Sequence, residues 1–168
     1  MTKENLEHDT EDAIDFVDEI SGEDTPLDFY LLLIVDDNAD VHVATRIALQ
    51  GQIINGRRLL FMSAYSAREA ILMVDKHIPF DLVLLDMVME TTHAGMDVAQ
   101  NIQARLDLEH TPAIVMRSGQ PGMFKDKDVD DNLWFDEFML KSRVTQQYLR
   151  DIVQKHLDPD KDLGLTHI

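Results

Sequence analysis

Cysteine is absent from all 168 residues. Disulfides, thiolate zinc sites and cysteine nucleophiles are thereby excluded, and a reducing, cytoplasmic setting is expected. No apolar run approaches the roughly 18 residues of a membrane span, so no membrane insertion is expected. Bases are scarce. Fifteen Lys and Arg stand against 32 Asp and Glu, for a formal charge of −17. An acidic chain without a basic patch is a poor partner for nucleic acid, and direct binding to it is not expected. The acidic N-terminus is neither a secretory signal nor a transit peptide. Internal repeats are also missing.

What the chain does have is a set of short, strongly apolar runs, each ending on a polar residue. Leu31–Val35 runs into Asp36-Asp37, and Leu82–Leu85 into Asp86. Ala113–Met116 is followed closely by Ser118, and Phe138–Leu140 by Lys141. Runs this short read as strands buried on both faces. Their polar ends should gather at one edge of a parallel sheet, where open α/β folds keep their ligand sites. Three acids, a hydroxyl and an amine meeting there would bind a divalent cation and a phosphoryl group. Three clustered carboxylates repel one another by roughly 1 kcal/mol per pair in water, and about 4 at an effective dielectric of 20. A hard cation such as Mg²⁺, which prefers oxygen ligands, removes that difficulty.

Strand and helix signals alternate from Tyr30 onward. Val43, Ala44, Ile47 and Ala48 predict an apolar face for a helix near 39–50. Arg58–Ala64 reads as a second strand. Ser66 and Glu69 form a capping box in which each satisfies the other's free N–H. They open a helix carrying Ala67, Ala70, Ile71 and Val74. Phe80–Leu85 is a third strand, and Val98, Ala99, Ile102 and Leu106 mark a third helix. Residues 123–132 are a weak helix candidate, and Leu133–Leu140 reads as the fifth strand. Tyr148, Leu149, Ile152, Val153 and Leu157 give a last helix. Five strand–helix pairs predict an α/β sandwich around a parallel sheet. Residues 1–28 carry eleven acids against Lys3 alone. They read as an acidic N-terminal extension, whose Ile14, Val17 and Ile20 could dock it on the domain. Residues 29–157 are the domain, and 158–168 a C-terminal tail.

The acid pair Asp36-Asp37 after the first strand, Asp86 ending the third, Ser118-Gly119 after the fourth and Phe138-x-x-Lys141 ending the fifth occur in order. In this the chain resembles the response-regulator receiver domain of two-component signalling. The resemblance covers about residues 29–157. It implies the (βα)5 flavodoxin-like three-layer sandwich, with a parallel five-stranded sheet in the order 2-1-3-4-5. It also implies that Asp86 is the phosphoacceptor, taking a phosphoryl group from the phosphohistidine of a histidine kinase or histidine phosphotransfer protein. Asp36, Asp37, Asp86 and the backbone carbonyl of Val88 would hold Mg²⁺ or Mn²⁺. Ser118 would hydrogen-bond the phosphoryl group, Gly119 would leave space for it, and Lys141 would neutralise it. Phe138 would turn inward on phosphorylation. That repacks the face made by the fourth helix, fifth strand and last helix, which an effector or a second copy of the chain would read. Such a chain is a signalling switch that catalyses only its own aspartyl phosphorylation and dephosphorylation.

The chain departs from the family where Ser142 follows Lys141 and Glu90 follows Met89, since prolines are usual at both places. The Lys141–Ser142 bond is open to either isomer. The stretches Arg117–Gly122, Met89–Thr92 and Ser63–Ser66 resemble a receiver subfamily that precedes a domain of unknown function and cyclic-dinucleotide or kinase output modules. Plainer readings stand beside these. Asp36-Asp37 could simply cap the next helix, Ser118 alone is a loop serine, and Lys141 alone a surface lysine. Trp134, Met87 and Met89 read as packing residues. Two other functions are weighed: a degenerate receiver serving as a phosphorylation-independent binding scaffold, and an aspartyl phosphohydrolase. The second needs Asp-x-Asp after the first strand, which Asp36-Asp37-Asn38 does not supply.

Overall fold

In the computed structural model the described residues are 29–105, 111–119 and 134–158. Six strands form one sheet in the order β2-β3-β1-β4-β5-β6. They are β1 (Phe29–Val35), β2 (Ile53–Ile54), β3 (Arg57–Ala64), β4 (Leu82–Asp86), β5 (Ala113–Ser118) and β6 (Glu137–Leu140). The helices among these residues are α1 (Ala39–Leu49), α2 (Ala67–Asp75), α3 (Ala94–Gln103) and α4 (Gln146–Leu157). Leaving β2 aside, every pairing is parallel and the order is the anticipated 2-1-3-4-5. The added β2 pairs antiparallel with β3 through a two-residue turn, where Asn55 (φ 50°) and Gly56 (φ 79°) both have positive φ. Asn-Gly is the usual pair for such a turn, so the hairpin had a readable signal. The helix candidate at 123–132, Leu106 and the extension 1–28 lie outside the described residues.

Alternation along the strands sorts side chains into two cores. Leu33, Val35, Val83, Leu85, Ile114 and Met116 face α2 and α3. Leu32, Leu82, Leu84, Val115 and Met139 face α1 and α4. The three-layer sandwich is therefore as expected, with β4 buried along its whole length. α4 buries Leu149, Ile152, Val153 and Leu157, and Thr145 caps it by accepting the N–H of Tyr148 at 3.1 Å.

The first helix differs from its reading. Its buried side carries His42, Thr45 and Leu49, while Val43 and Ile47 are exposed. Periodicity marked the more apolar stripe, but the stripe facing the sheet is polar because it meets polar side chains there. Asn38 caps this helix, its side-chain oxygen accepting the Asp40 N–H at 2.9 Å. Asp36-Asp37 is thus not the cap. At α2, Ser66 accepts the Glu69 N–H as anticipated, but the Glu69 carboxylate takes the N–H of Tyr65 at 2.7 Å. The box closes one residue further back. Trp134 is exposed rather than packed, whereas Met87 and Met89 are buried. The fifth strand is shorter than anticipated, and the Lys141–Ser142 bond is trans and opens a 3-10 turn over Lys141–Arg143.

Candidate functional site

Strands β1, β4, β5 and β6 all end at one edge of the sheet, and their last residues meet there. Asp36, Asp86, Arg117 and Lys141 share strand parity with Leu32, Leu84, Val115 and Met139, so each starts out toward the α1/α4 side. Asp36, Asp37 and Asp86 can bring one oxygen each within 4.8 Å of one another. Asp36 and Asp86 are buried, whereas Asp37 is exposed. Lys141 donates a hydrogen bond to Asp86 Oδ2 at 2.8 Å. Its Nζ lies equally close, 2.8 Å, to Asp36 Oδ2. That second approach is an ion pair without hydrogen-bond alignment, because Asp36 Oδ2 is buried with no hydrogen-bond partner among the described residues.

Burial pushes the Asp86 carboxyl above its ordinary range, and the hydrogen bond and charge of Lys141 pull it back only in part. The Val88 N–H approaches Asp86 Oδ1 at 3.4 Å, and Met87 N–H is anchored on the Arg117 carbonyl at 2.8 Å. Beyond Val88, Glu90 accepts the Ala67 N–H at 3.0 Å. It thereby joins the loop after Asp86 to the start of α2. The residue standing at a usual proline position has a structural task of its own.

Ser118 is the fully buried last residue of β5, in register with Leu140 beside Lys141. A loop serine it is not. Gly119 follows it, and among the described residues a Cβ there would meet nothing within 4 Å. Phe138 is half-buried against the α2/α3 core, its ring 6.4 Å from that of Phe135. It points away from the acid cluster, to the other side of the sheet.

Sequence reasoning missed four residues here. Gly95, in the first turn of α3, packs so closely on β4 that a Cβ would lie 2.2 Å from the Asp86 carbonyl oxygen. Arg117 is buried, donating to Thr45 Oγ1 at 3.0 Å, with Nη2 3.6 Å from Asp36 Oδ2. His42 Nε2 lies 2.8 Å from the Asp36 carbonyl oxygen, and its Nδ1 lies 2.9 Å from Ser63 Oγ. Burial lowers the His42 pKa despite the Asp36 carbonyl and charge, which favours the neutral ring. Its Nε2–H then donates to that carbonyl. Arg46 donates to the same Ser63 oxygen at 2.9 Å. The one local signal was an arginine, Arg117, next to the end of an otherwise apolar strand.

The donor set fits a hard divalent cation. It offers three carboxylates, one carrying a buried oxygen that lacks a hydrogen-bond partner among the described residues. No family model matches the chain. It is 32% identical over 147 residues to the 3'3'-cGAMP-specific phosphodiesterase 2 of Vibrio cholerae, a match covering 83% of this chain. The chain spans only 28% of that relative's length. The chemotaxis response regulator CheY4 of Vibrio cholerae superposes with a TM-score of 0.60 at 19% identity, covering 77% of this chain and 99% of its own. A CheY-like response regulator receiver domain protein from Methanospirillum hungatei gives 0.58 at 18%, covering 81% and 99%. The N-terminal domain of a response regulator/sensory box/GGDEF three-domain protein from Carboxydothermus hydrogenoformans gives 0.57 at 20%, covering 75% and 92%. The chain has the receiver-domain fold of response regulators.

Proposed function

We propose that residues 29–157 are a phosphoacceptor receiver domain of two-component signalling, flanked by the extension 1–28 and the tail 158–168. The observation that carries this reading is the Lys141 ammonium, which hydrogen-bonds Asp86 and sits 2.8 Å from Asp36 at the end of the sheet. A carboxylate oxygen of Asp86 attacks phosphorus while the N–P bond of a phosphohistidine donor breaks, and the departing imidazole takes up a proton. The donor is a histidine kinase or a histidine phosphotransfer protein. Lys141 shifts from the Asp86 carboxylate to the incoming oxygens, with no change of protonation, and Ser118 donates a hydrogen bond to one of them. Gly119 borders the open side. A Mg²⁺ or Mn²⁺ ion held by Asp36, Asp37, Asp86 and the Val88 carbonyl would neutralise charge on the phosphoryl oxygens.

The switch would run through Ser118 to Phe138 and the face around β6 and α4, to be read by an effector or a second copy. Similarity to a cyclic-dinucleotide phosphodiesterase supports an output of that class. Among the described residues no helix is long and apolar enough to cross a membrane. We place the chain in the cytoplasm, with phosphorylation and dephosphorylation of its own aspartate as its only catalysis.

Acetyl phosphate with Mg²⁺, followed by intact mass, tests this. The wild type should gain about 80 Da, the mass of one phosphoryl group, and Asp86→Ala should not. Failure of the wild type with both acetyl phosphate and a cognate kinase refutes the switch and favours a binding scaffold. Gain of mass by Asp86→Ala refutes the choice of residue.

A further inference from the structure

We propose that Arg117 is a built-in counter-ion of the acid cluster, a positioning residue that sets how tightly Asp36, Asp37 and Asp86 take a divalent cation. This rests on the metal-binding part of the function proposed above. Arg117 is paired in register with Asp86 across β4 and β5, and its side chain is 4% exposed. One guanidinium nitrogen donates to Thr45. Nε and Nη2 have no hydrogen-bond partner among the described residues, yet Nη2 lies 3.6 Å from Oδ2 of Asp36, an oxygen that also has the Lys141 ammonium at 2.8 Å. A buried guanidinium with two nitrogens lacking hydrogen-bond partners is costly unless the carboxylate 3.6 Å away compensates it electrostatically.

The surroundings fix both members. Thr45 holds the guanidinium from α1, and three residues earlier on the same helix face His42 holds the Asp36 carbonyl. That explains why α1 buries His42 and Thr45 and leaves Val43 and Ile47 outside. Among the described residues, the groups facing Arg117 are therefore Thr45, Asp36, His42 and, more remotely, Asp86. With Lys141, the three carboxylates have two cations and keep one net negative charge. A guanidinium is not deprotonated in proteins, so this charge is permanent. Lys141 is 27% exposed on a flexible stem and can follow a phosphoryl group; Arg117 stays where it is.

A fixed unit charge within several Å of a divalent ion lowers its affinity by roughly tenfold even at the dielectric of water. Removing the charge should therefore tighten the site. The test is calorimetric titration of the full chain with Mg²⁺, without a phosphodonor, for wild type, Arg117→Met, Arg117→Gln and Arg117→Lys. Circular dichroism confirms that each is folded. Both neutral variants should bind Mg²⁺ about tenfold more tightly or better, and Arg117→Lys should stay within about threefold of wild type. Should Arg117→Met fail to fold, Arg117→Gln, which keeps a donor for Thr45, carries the comparison. A purely structural arginine would alter the melting temperature in all three without ordering the affinities by charge, and that result overturns the proposal. Wild-type binding with no gain in the neutral variants overturns it alone. Absence of binding in wild type and neutral variants alike overturns it together with the metal part of the proposed function.

Discussion

Replacing Gly95 with alanine tests the account of how Asp86 is held. In an ordinary helix this substitution stabilises by roughly 0.5–1 kcal/mol, because glycine loses more backbone entropy on folding. Here the new Cβ would sit 2.2 Å from the carbonyl oxygen of Asp86 and 2.7 Å from Cα of Met87. Both are backbone atoms at the end of a fully buried strand, so neither can swing aside. The start of α3 must retreat by about 1 Å, stretching the 3.1 Å bond from the Gly95 N–H to the Met87 carbonyl. Overpacking of this kind costs about 1–3 kcal/mol. With the propensity gain offsetting part, a net loss of about 1–2 kcal/mol is expected, a fall in Tm of roughly 2–8 °C for a chain of this size. Urea denaturation measures it, with Gly119→Ala as control. Among the described residues a Cβ at Gly119 meets nothing within 4 Å, and a change within about 0.5 kcal/mol is expected there. Mg²⁺ affinity should weaken in Gly95→Ala as Asp86 is displaced. An equally or more stable Gly95→Ala, with its Mg²⁺ affinity intact, refutes the close approach.

Two further perturbations have worked signs. Lys141→Met leaves the Asp36 and Asp86 carboxylates without their shared cation. Repulsion of about 3 kcal/mol at ~5 Å and an effective dielectric of 20 is discounted for solvent, giving a destabilisation of about 1–3 kcal/mol in the absence of divalent ions. Saturating Mg²⁺ should recover more stability in this variant than in the wild type, and equal recovery in urea melts contradicts the shared-cation account. Burial pushes the Glu137 carboxyl up, but hydrogen bonds from Lys155 (2.7 Å) and His156 (2.8 Å) outweigh it and hold it below its ordinary value. A depressed folded pKa means stability that is present above about pH 4.5, the unfolded value, and lost as pH falls through the folded one. Glu137→Gln should therefore cost about 1 kcal/mol at pH 7. Its denaturation midpoint should converge on the wild type's below pH 4.5. A difference independent of pH contradicts the assignment.

Much of the site was legible because it is written at the ends of strands. Leu31–Val35 and Leu82–Leu85 are short, apolar runs that read as buried strands, so the acids following them were expected at the sheet's edge. The hairpin of Asn55-Gly56 carries an equally legible signal. Helix α1 misled for a physical reason. Helical spacing locates the most apolar stripe, and here that stripe, Val43 and Ile47, is not the one that packs. Nothing in the spacing reveals that the facing sheet edge presents Asp36 and Arg117.

The sequence by itself determined the sheet, the order of its chemistry-bearing ends and the acid, hydroxyl and amine set, since these follow from local hydrophobicity and alternation. Only the tertiary structure decided which partners those groups meet. Lys141 spans Asp36 and Asp86, Glu90 ties the following loop to α2, and Gly95 brings α3 against the Asp86 carbonyl. Arg117 and Thr45 are 72 residues apart and hydrogen-bonded. No local pattern encodes that distance. It arises because crossover helices lay α1 over the same sheet edge where β5 ends, and a charge buried there must find its partner in space.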